Sequence, residues 1–347
     1  MMEDVDDFCF DLPKIELHAH LNGSLSDQCL KKLNCMDEST KEYKRIADVL
    51  DKTERTLTEC FEVFNIAHRA TNTVDAVYKA TQSVIRDFYL NDHVVYLELR
   101  TTPRAEEGMS KEDYVSAVVR AIKENNLEII VKLILSIDRR HSTEESLDTL
   151  NVILKMKTKY PDVIVGIDLS GNPHEGKFNV DLFQKARDNG LKTSIHCAEI
   201  KNDEEVENIL TFGPDRLGHA TFLHPSFGGS QSNWDIYCKK KIPVECCLTS
   251  NVICGTSKSF QEHHIREWIK SSLPFCICTD DKGVFCTSLK KEYEMVVEHH
   301  GLEPKDLWQI SYNTVDYIFA SDEIKTRLKV KLMNWYNSHE DELFNSD

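Results

Sequence analysis

The chain has 347 residues, 41% apolar and 29% charged, an ordinary globular composition that excludes disordered, collagen-like and low-complexity proteins. Its 58 acidic and 42 basic residues give a net charge of −16, which speaks against a general nucleic-acid or anionic-membrane binder. An anionic small substrate remains compatible, because it needs only a local basic pocket.

Met1 to Asp11 carries acidic residues and no basic one, without the n-region and h-region of a secretory signal. No apolar run approaches the roughly 18–20 residues that span a bilayer. Short β-rich runs then alternate with helical stretches. The expected strands are Lys14–His18, Val94–Arg100, Ile129–Asp138, Val163–Leu169, Lys192–His196, Arg216–His219, Ile242–Leu248 and Phe275–Asp280. Several are nearly continuous apolar runs, as in parallel strands buried on both faces. Between His20 and His93 two or three helices are expected, including Thr58–Ala70 and Thr73–Leu90. Thr58, Phe61, Phe64 and Ala67 form the helical stripe of the first. This insertion sits where a lid could form. Asp113 to Lys123 places Tyr114, Ala117, Val118, Ala121 and Ile122 on one face. Glu205–Phe212 and His263–Ile269 behave similarly. Ser321 to Phe344 reads as a charged amphipathic tail helix with Leu328, Leu332 and Trp335 turned inward.

Eight strands alternating with helices predict an α/β fold, a (β/α)8 TIM-type barrel with a helical insertion after strand 1. One barrel domain is expected over residues 12–325, with a helical tail over 326–347 packed on it. Twelve cysteines include Cys246, Cys247, Cys276 and Cys278 inside apolar runs, and no C-x-x-C pair occurs. They read as reduced thiols packed as small hydrophobes in a cytoplasmic protein.

Polar residues collect where the apolar strands stop, the end at which such barrels keep their chemistry. Strand 1 ends in His18-Ala19-His20, whose alternating geometry lets both imidazoles reach one ion. Strand 5 ends in His196, followed by Glu199. Strand 6 ends in His219, and strand 8 ends in Asp280-Asp281. Three imidazoles and one carboxylate suit Zn²⁺ with a further position for water. Bound zinc would bring the water's pKa to roughly 7. Glu199 would then be a non-ligating acid or base. His219 would hold or deprotonate the water, and Asp281 would hydrogen-bond the substrate.

His18-Ala19-His20-Leu21-Asn22-Gly23, Ser170-Gly171-Asn172-Pro173, His196-Cys197-Ala198-Glu199, Leu217-Gly218-His219, Leu248-Thr249-Ser250-Asn251 and Thr279-Asp280-Asp281 follow one another in that order. From about Leu12 to Ala320 this set resembles the adenosine and AMP deaminase superfamily of metal-dependent hydrolases. The resemblance implies that His18, His20, His196 and Asp280 bind one zinc per chain. It implies that Glu199 protonates purine N1, that His219 orients the attacking hydroxide, and that Asp281 accepts a hydrogen bond at N7. Gly171 would let the backbone approach the purine edge. Contacts to phosphate and ribose carry over to Asn22, His68, Thr101, Thr102, Pro103, Arg104 and Asp138, with His20 also facing the substrate. Two departures are Ala220, where the superfamily usually has Gly, and the variable Cys197-Ala198. The resemblance also implies a monomer.

Within the superfamily the chain looks most like the branch acting on N6-methylated purine nucleoside monophosphates. Nucleoside-specific members commonly carry Asp in place of Asn22. A carboxylate there would repel a 5′-phosphate, whereas Asn22 is neutral and can donate. Arg104 adds a fork of donors, and Thr101 and Thr102 add hydroxyls. The expected reaction is hydrolysis of N6-methyl-AMP to IMP and methylamine. The alternative is an adenosine deaminase making inosine and ammonia. A cytidine-type zinc deaminase would need H-x-E with P-C-x-x-C, and neither occurs.

Overall fold

The computed structural model describes residues 2–33 and 41–339. Eight parallel strands pair in chain order: β1 (Lys14–His20), β2 (Val94–Thr101), β3 (Ile130–Asp138), β4 (Ile164–Ser170), β5 (Lys192–Cys197), β6 (Arg216–His219), β7 (Val244–Cys246) and β8 (Phe275–Ile277). The ring closes where Ala19 bridges Asp280. There the His20 N–H donates to the Asp280 carbonyl (2.9 Å) and the Asp280 N–H to the His18 carbonyl (2.8 Å). The expected (β/α)8 barrel is therefore the observed fold.

Helices α1 (Met2–Asp11), α2 (Asp27–Leu33), α3 (Lys41–Leu50), α4 (Leu57–Ala70), α5 (Val74–Asp92) and α6 (Lys111–Lys123) belong to the first third of the chain. Around the rest of the barrel run α7 (Thr143–Lys159), α8 (Val180–Asp188), α9 (Asp203–Phe212), α10 (Gln231–Lys240), α11 (Leu248–Ile253), α12 (Ile265–Lys270), α13 (Leu289–His300), α14 (Pro304–Thr314) and α15 (Asp322–Ser338). Capping boxes begin α4 (Thr56 with Glu59) and α6 (Ser110 with Asp113), satisfying backbone N–H groups that a helix start leaves open.

Several expectations need correction. Strand 7 is shorter than Ile242–Leu248, because Leu248 already begins α11. Strand 8 stops at Ile277, and Asp280 adopts a left-handed φ of 62°, which no regular strand accommodates. Among the described residues, the interval after β1 holds four helices rather than two or three. In α4 the buried face is Cys60, Val63, Ile66, Ala67 and Ala70, while Phe61 is 59% exposed. The buried face is turned by about one residue from the expected stripe, because Cys60 and Val63 compete with the neighbouring phenylalanines for the core. In α6 all five expected inward residues are buried.

Lys14 is fully buried, and its Nζ donates to the Cys9 (2.5 Å) and Leu12 (2.6 Å) carbonyls. It thereby caps the end of α1, which the sequence reading did not foresee. In α15, Leu328, Leu332 and Trp335 are buried as expected. Trp335 Nε1 donates to Asp11 Oδ2 (2.7 Å) and ties the tail to α1. Residues 340–347 of the expected tail lie outside the described residues. Arg55, 6% exposed, donates to the Gly283 (2.6 Å) and Val284 (3.1 Å) carbonyls. It pins the inserted helices to the loop after β8, where Asp280 and Asp281 sit. Cys246, Cys247, Cys276 and Cys278 are fully buried free thiols.

The strands point a polar column into the barrel. Glu98 and Arg100, Asp168 and Ser170, and Ser194 and His196 are buried pairs at two-residue spacing on three strands. Arg100 bonds Asp168 (3.2 Å) and Glu245 (2.9 Å), and Arg216 bonds Glu245 (2.6 Å) and Glu98 (2.5 Å). This paired network forms the floor beneath the histidines, as buried charge requires.

Candidate active site

At the C-terminal end of the barrel, His18, His20, His196 and Asp280 each turn one ligating atom inward. Those atoms all lie within 4.8 Å of one another. His18 Nδ1 meets Glu245 Oε2 at 2.6 Å, and His196 Nδ1 meets Asp168 Oδ1 at 2.9 Å. A carboxylate at Nδ1 fixes the proton there and leaves Nε2 with its lone pair free, the arrangement of metal-binding histidines. His18 Nε2 is buried with no hydrogen-bond partner, and its lone pair suits a cation. Ser250 Oγ donates to Asp280 Oδ2 (2.7 Å), leaving Oδ1 within 3.3 Å of both His18 Nε2 and His20 Nε2. This donor set fits a metal ion.

Burial alone would pull His18 down, yet Asp280 and Glu245 raise it to about 9. The proton those carboxylates favour is the one a cation would displace. Burial pushes His20 down to about 3, against the pull of Asp280. Glu245 is held well below the usual carboxylate range: burial opposes this, but Arg100 and Arg216 outweigh it.

Around this cluster stand the three other expected reaction groups. Glu199 Oε2 and Asp280 Oδ2 each lie 3.8 Å from His219 Nε2. Glu199 Oε1 is buried and unpartnered. Burial lifts the Glu199 pKa, with Asp280 adding to the effect and His196 opposing it. Asp281 Oδ1 is likewise buried and unpartnered. Burial first, then the charge of Asp280, pushes the Asp281 carboxyl well above its ordinary range. His219 and Ala220 follow each other at φ 59° and 56°. Each left-handed non-glycine residue costs about 1–3 kcal/mol. The Ala220 position is thus one where glycine would be relaxed, and its methyl is fully buried instead.

Gly171 has φ 103°, and a β-carbon there would fall 2.4 Å from Asp138 Oδ1. The backbone at Gly171 and the Asp138 carboxylate therefore crowd each other at the barrel mouth. Asp138 is paired with Arg140 (2.6 Å), a cation the sequence reading did not select. Thr71 Oγ1 donates to the Ala67 carbonyl (2.7 Å) and lies 3.3 Å from Asn22 Oδ1. Arg104 Nη2 donates to the Thr71 carbonyl and to Thr71 Oγ1, both at 2.7 Å, and also reaches the exposed His68 through its carbonyl (3.3 Å). Asn22, His68 and Arg104 thus meet around Thr71. Thr101 is different. It is 4% exposed and its hydroxyl is spent on Tyr114 (2.7 Å). Pro103 is buried and Thr102 half-buried.

Asp168, Glu245, Ser250 and Asn251 hold the site residues in place and were missed as functional positions. A signal existed for the first two: each is a lone acid within an apolar strand, Ile167-Asp168-Leu169 and Val244-Glu245-Cys246. A buried strand tolerates such a charge only when it is paired.

The family model for adenosine deaminase matches residues 13–335. The chain belongs to the adenosine deaminase family. It is 40% identical over 337 residues to N6-methyl-AMP deaminase of Danio rerio, covering 95% of this chain and 97% of that protein. Its structure is similar to the apo N6-methyl-AMP deaminase from Arabidopsis thaliana, with a TM-score of 0.86 and 37% identity over 98% of this chain and 100% of that one. An arabidopsis ADAL complexed with IMP superposes with a TM-score of 0.84, 37% identity, and coverage of 99% and 100%. As in the rest of this deaminase family, a metal-dependent hydrolytic site is built on the barrel's strand ends. Among the described residues no helix is long and apolar enough to cross a membrane.

Proposed function

We propose that this adenosine deaminase family member hydrolyses N6-methyl-AMP, and related N6-substituted purine nucleoside monophosphates, to IMP and methylamine. The observation that carries the substrate is the junction of Asn22 and Arg104 on Thr71. Thr71 Oγ1, whose shorter bond goes to the Ala67 carbonyl (2.7 Å), lies 3.3 Å from the Asn22 carbonyl oxygen, and the neutral Asn22 amide offers its NH₂ as a donor toward an anion. The relatives reported above act on N6-methyl-AMP or hold IMP, in keeping with a 5′-phosphate.

His18, His20, His196 and Asp280 would hold one zinc ion. Zinc supplies Lewis acidity that makes hydroxide available from water at neutral pH. The protein groups do the rest. Glu199, whose carboxyl burial pushes above its ordinary range, delivers a proton to purine N1 as C6 is attacked, so that the ring nitrogen carries no negative charge. Neutral purine N7 bears a lone pair and no proton. Asp281 therefore acts as donor there rather than the acceptor expected from the resemblance, consistent with its raised pKa. His219 contacts the attacking oxygen. Water adds its oxygen to C6 and its two protons balance the exchange: one restores the Glu199 carboxyl, and the other passes from the C6 hydroxyl to N6 as the C6–N6 bond breaks and methylamine leaves. Gly171 and Asp138 border the nucleotide, with Thr102 and Pro103 beside Arg104. The resting protein is proposed to be a cytoplasmic monomer of one barrel domain.

The test is a purified-enzyme panel of AMP, N6-methyl-AMP, N6-methyladenosine and adenosine, read by the ultraviolet shift to hypoxanthine. N6-methyl-AMP should give the highest kcat/KM, with equimolar methylamine. Preference for adenosine would overturn the assignment.

A further inference from the structure

Three histidines of the site are read at Nδ1 by different partners, and the difference separates ligand from non-ligand. His18 and His196 meet carboxylates there. His219 instead meets the side-chain amide of Asn251, with Nδ2 at 3.2 Å from its Nδ1. Asn251 also touches a second imidazole, its Oδ1 lying 3.0 Å from His263 Nε2. His263 Nδ1 in turn lies 3.2 Å from the backbone N–H of Ile265. Both His219 and His263 are buried, as is Asn251.

The direction of this chain can be worked out from its far end. A backbone N–H only donates, so His263 Nδ1 is an acceptor and carries no proton. A ring without a proton at Nδ1 is neutral and must carry one at Nε2. His263 Nε2–H therefore donates to Asn251, which fixes the amide with its oxygen toward His263 and its NH₂ toward His219. That NH₂ is again only a donor, so His219 Nδ1 is an acceptor. The His219 proton then sits on Nε2, the atom facing Glu199 and Asp280. The backbone is fixed separately, because His264 Nε2 bonds the His219 carbonyl at 2.7 Å.

We infer that Asn251 and His263 are positioning residues that set the tautomer of His219, so that His219 presents an N–H donor to the reaction site. This rests on the proposed role of His219 at the attacking oxygen and makes that role specific. His219 has no lone pair at Nε2, so it neither ligates the metal nor takes a proton there. It holds the attacking oxygen by donating to it. Of the two roles open from the sequence, holding or deprotonating, the chain of partners selects holding.

The holoenzyme as purified, labelled with ¹⁵N-histidine, tests this directly. The His219 signals are assigned by their loss in His219→Gln. In the wild type, Nδ1 should resonate as an unprotonated nitrogen and Nε2 as a protonated one. Asn251→Asp replaces the donor by an acceptor. It should reverse the two signals and lower kcat by about 10²-fold or more, with KM changed less than about threefold, since a reversed tautomer in a catalytic histidine costs up to about 10⁴-fold. His263→Gln keeps an amide donor toward Asn251 and should keep the tautomer, with kcat within about threefold. A proton on Nδ1 in the wild type overturns the inference, and that spectrum decides even if a variant fails to fold. So does Asn251→Asp with wild-type signals and kcat. His219→Ala separates the underlying reading: full activity there would sink the role of His219 itself, whatever the tautomer proves to be.

Discussion

Gly23 and Asp281 occupy nearly the same space: a β-carbon on Gly23 would lie 1.6 Å from Asp281 Oδ1. The Gly23 carbonyl also accepts from the backbone N–H groups of Gly283 (2.9 Å) and Val284 (3.0 Å). The turn after β1 therefore both supports the loop after β8 and leaves room for its carboxyl. Gly23→Ala should displace Asp281 while leaving His18 and His20, earlier on β1, in place. Displacement of a reacting group by about 1 Å costs on the order of 10²-fold. The expected result is a kcat/KM loss of that size with unchanged zinc content. Retained activity would mean that Asp281 does not touch the substrate.

The donor set predicts one zinc per chain by elemental analysis. Complete chelation should abolish activity and lower the Tm, because it leaves His18 Nε2 buried without a partner. Two metals per chain, or turnover after complete chelation, would contradict the site as described.

Glu199→Gln should keep fold and zinc, since the two side chains match in shape. It should lose roughly 10²–10⁴-fold in kcat, the usual worth of a general acid. A variant keeping more than about a tenth of the wild-type rate would assign the N1 proton to another group.

The barrel was legible because its strands are apolar runs, and apolar runs of that length bury on both faces. Its ends were less so. Asp280 leaves the strand path through a left-handed backbone that nothing in Cys278-Thr279-Asp280 announces. The ligands were legible from His-x-His and the strand ends, whereas the residues orienting them were not. Asp168 meets His196, 28 positions away, and Glu245 meets His18, 227 positions away. Such pairings follow from barrel closure and inward registration. Thr101 shows the converse, a hydroxyl read as a phosphate donor whose partner, Tyr114, is supplied by α6.

Lys14 gives a pH dependence of stability. Burial lowers its pKa from 10.5 to about 8, against the pull of Asp92. Between those values the unfolded chain binds the extra proton, so the Lys14 contribution rises with pH through that window and is flat below it. The full change is about 3 kcal/mol. Urea unfolding of wild type and Lys14→Met at pH 7.5 and pH 10 should show the wild type gaining relative to the variant at the higher pH. An equal difference at both values would place the Lys14 ammonium in water.

The last prediction concerns the 5′ end of the substrate. Thr71 Oγ1 donates to the Ala67 carbonyl (2.7 Å), accepts from Arg104 (2.7 Å) and lies 3.3 Å from the Asn22 carbonyl oxygen. Asn22→Asp keeps the Thr71 contact through one oxygen and turns the other, formerly a donating amide, into an acceptor with negative charge. Like charges about 4 Å apart repel by on the order of 1 kcal/mol in water and about 4 kcal/mol at an intermediate effective dielectric. Catalytic efficiency on N6-methyl-AMP should fall by about tenfold or more. On N6-methyladenosine it should fall far less, or rise, because the carboxylate can accept from a 5′-hydroxyl. The change is nearly isosteric, and unchanged zinc content separates it from misfolding. Equal losses on both substrates would show that Asn22 does not read the 5′ group. The phosphate would then depend on Arg104, whose Nη2 already serves Thr71, and Arg104→Ala would have to reproduce the nucleotide-specific loss.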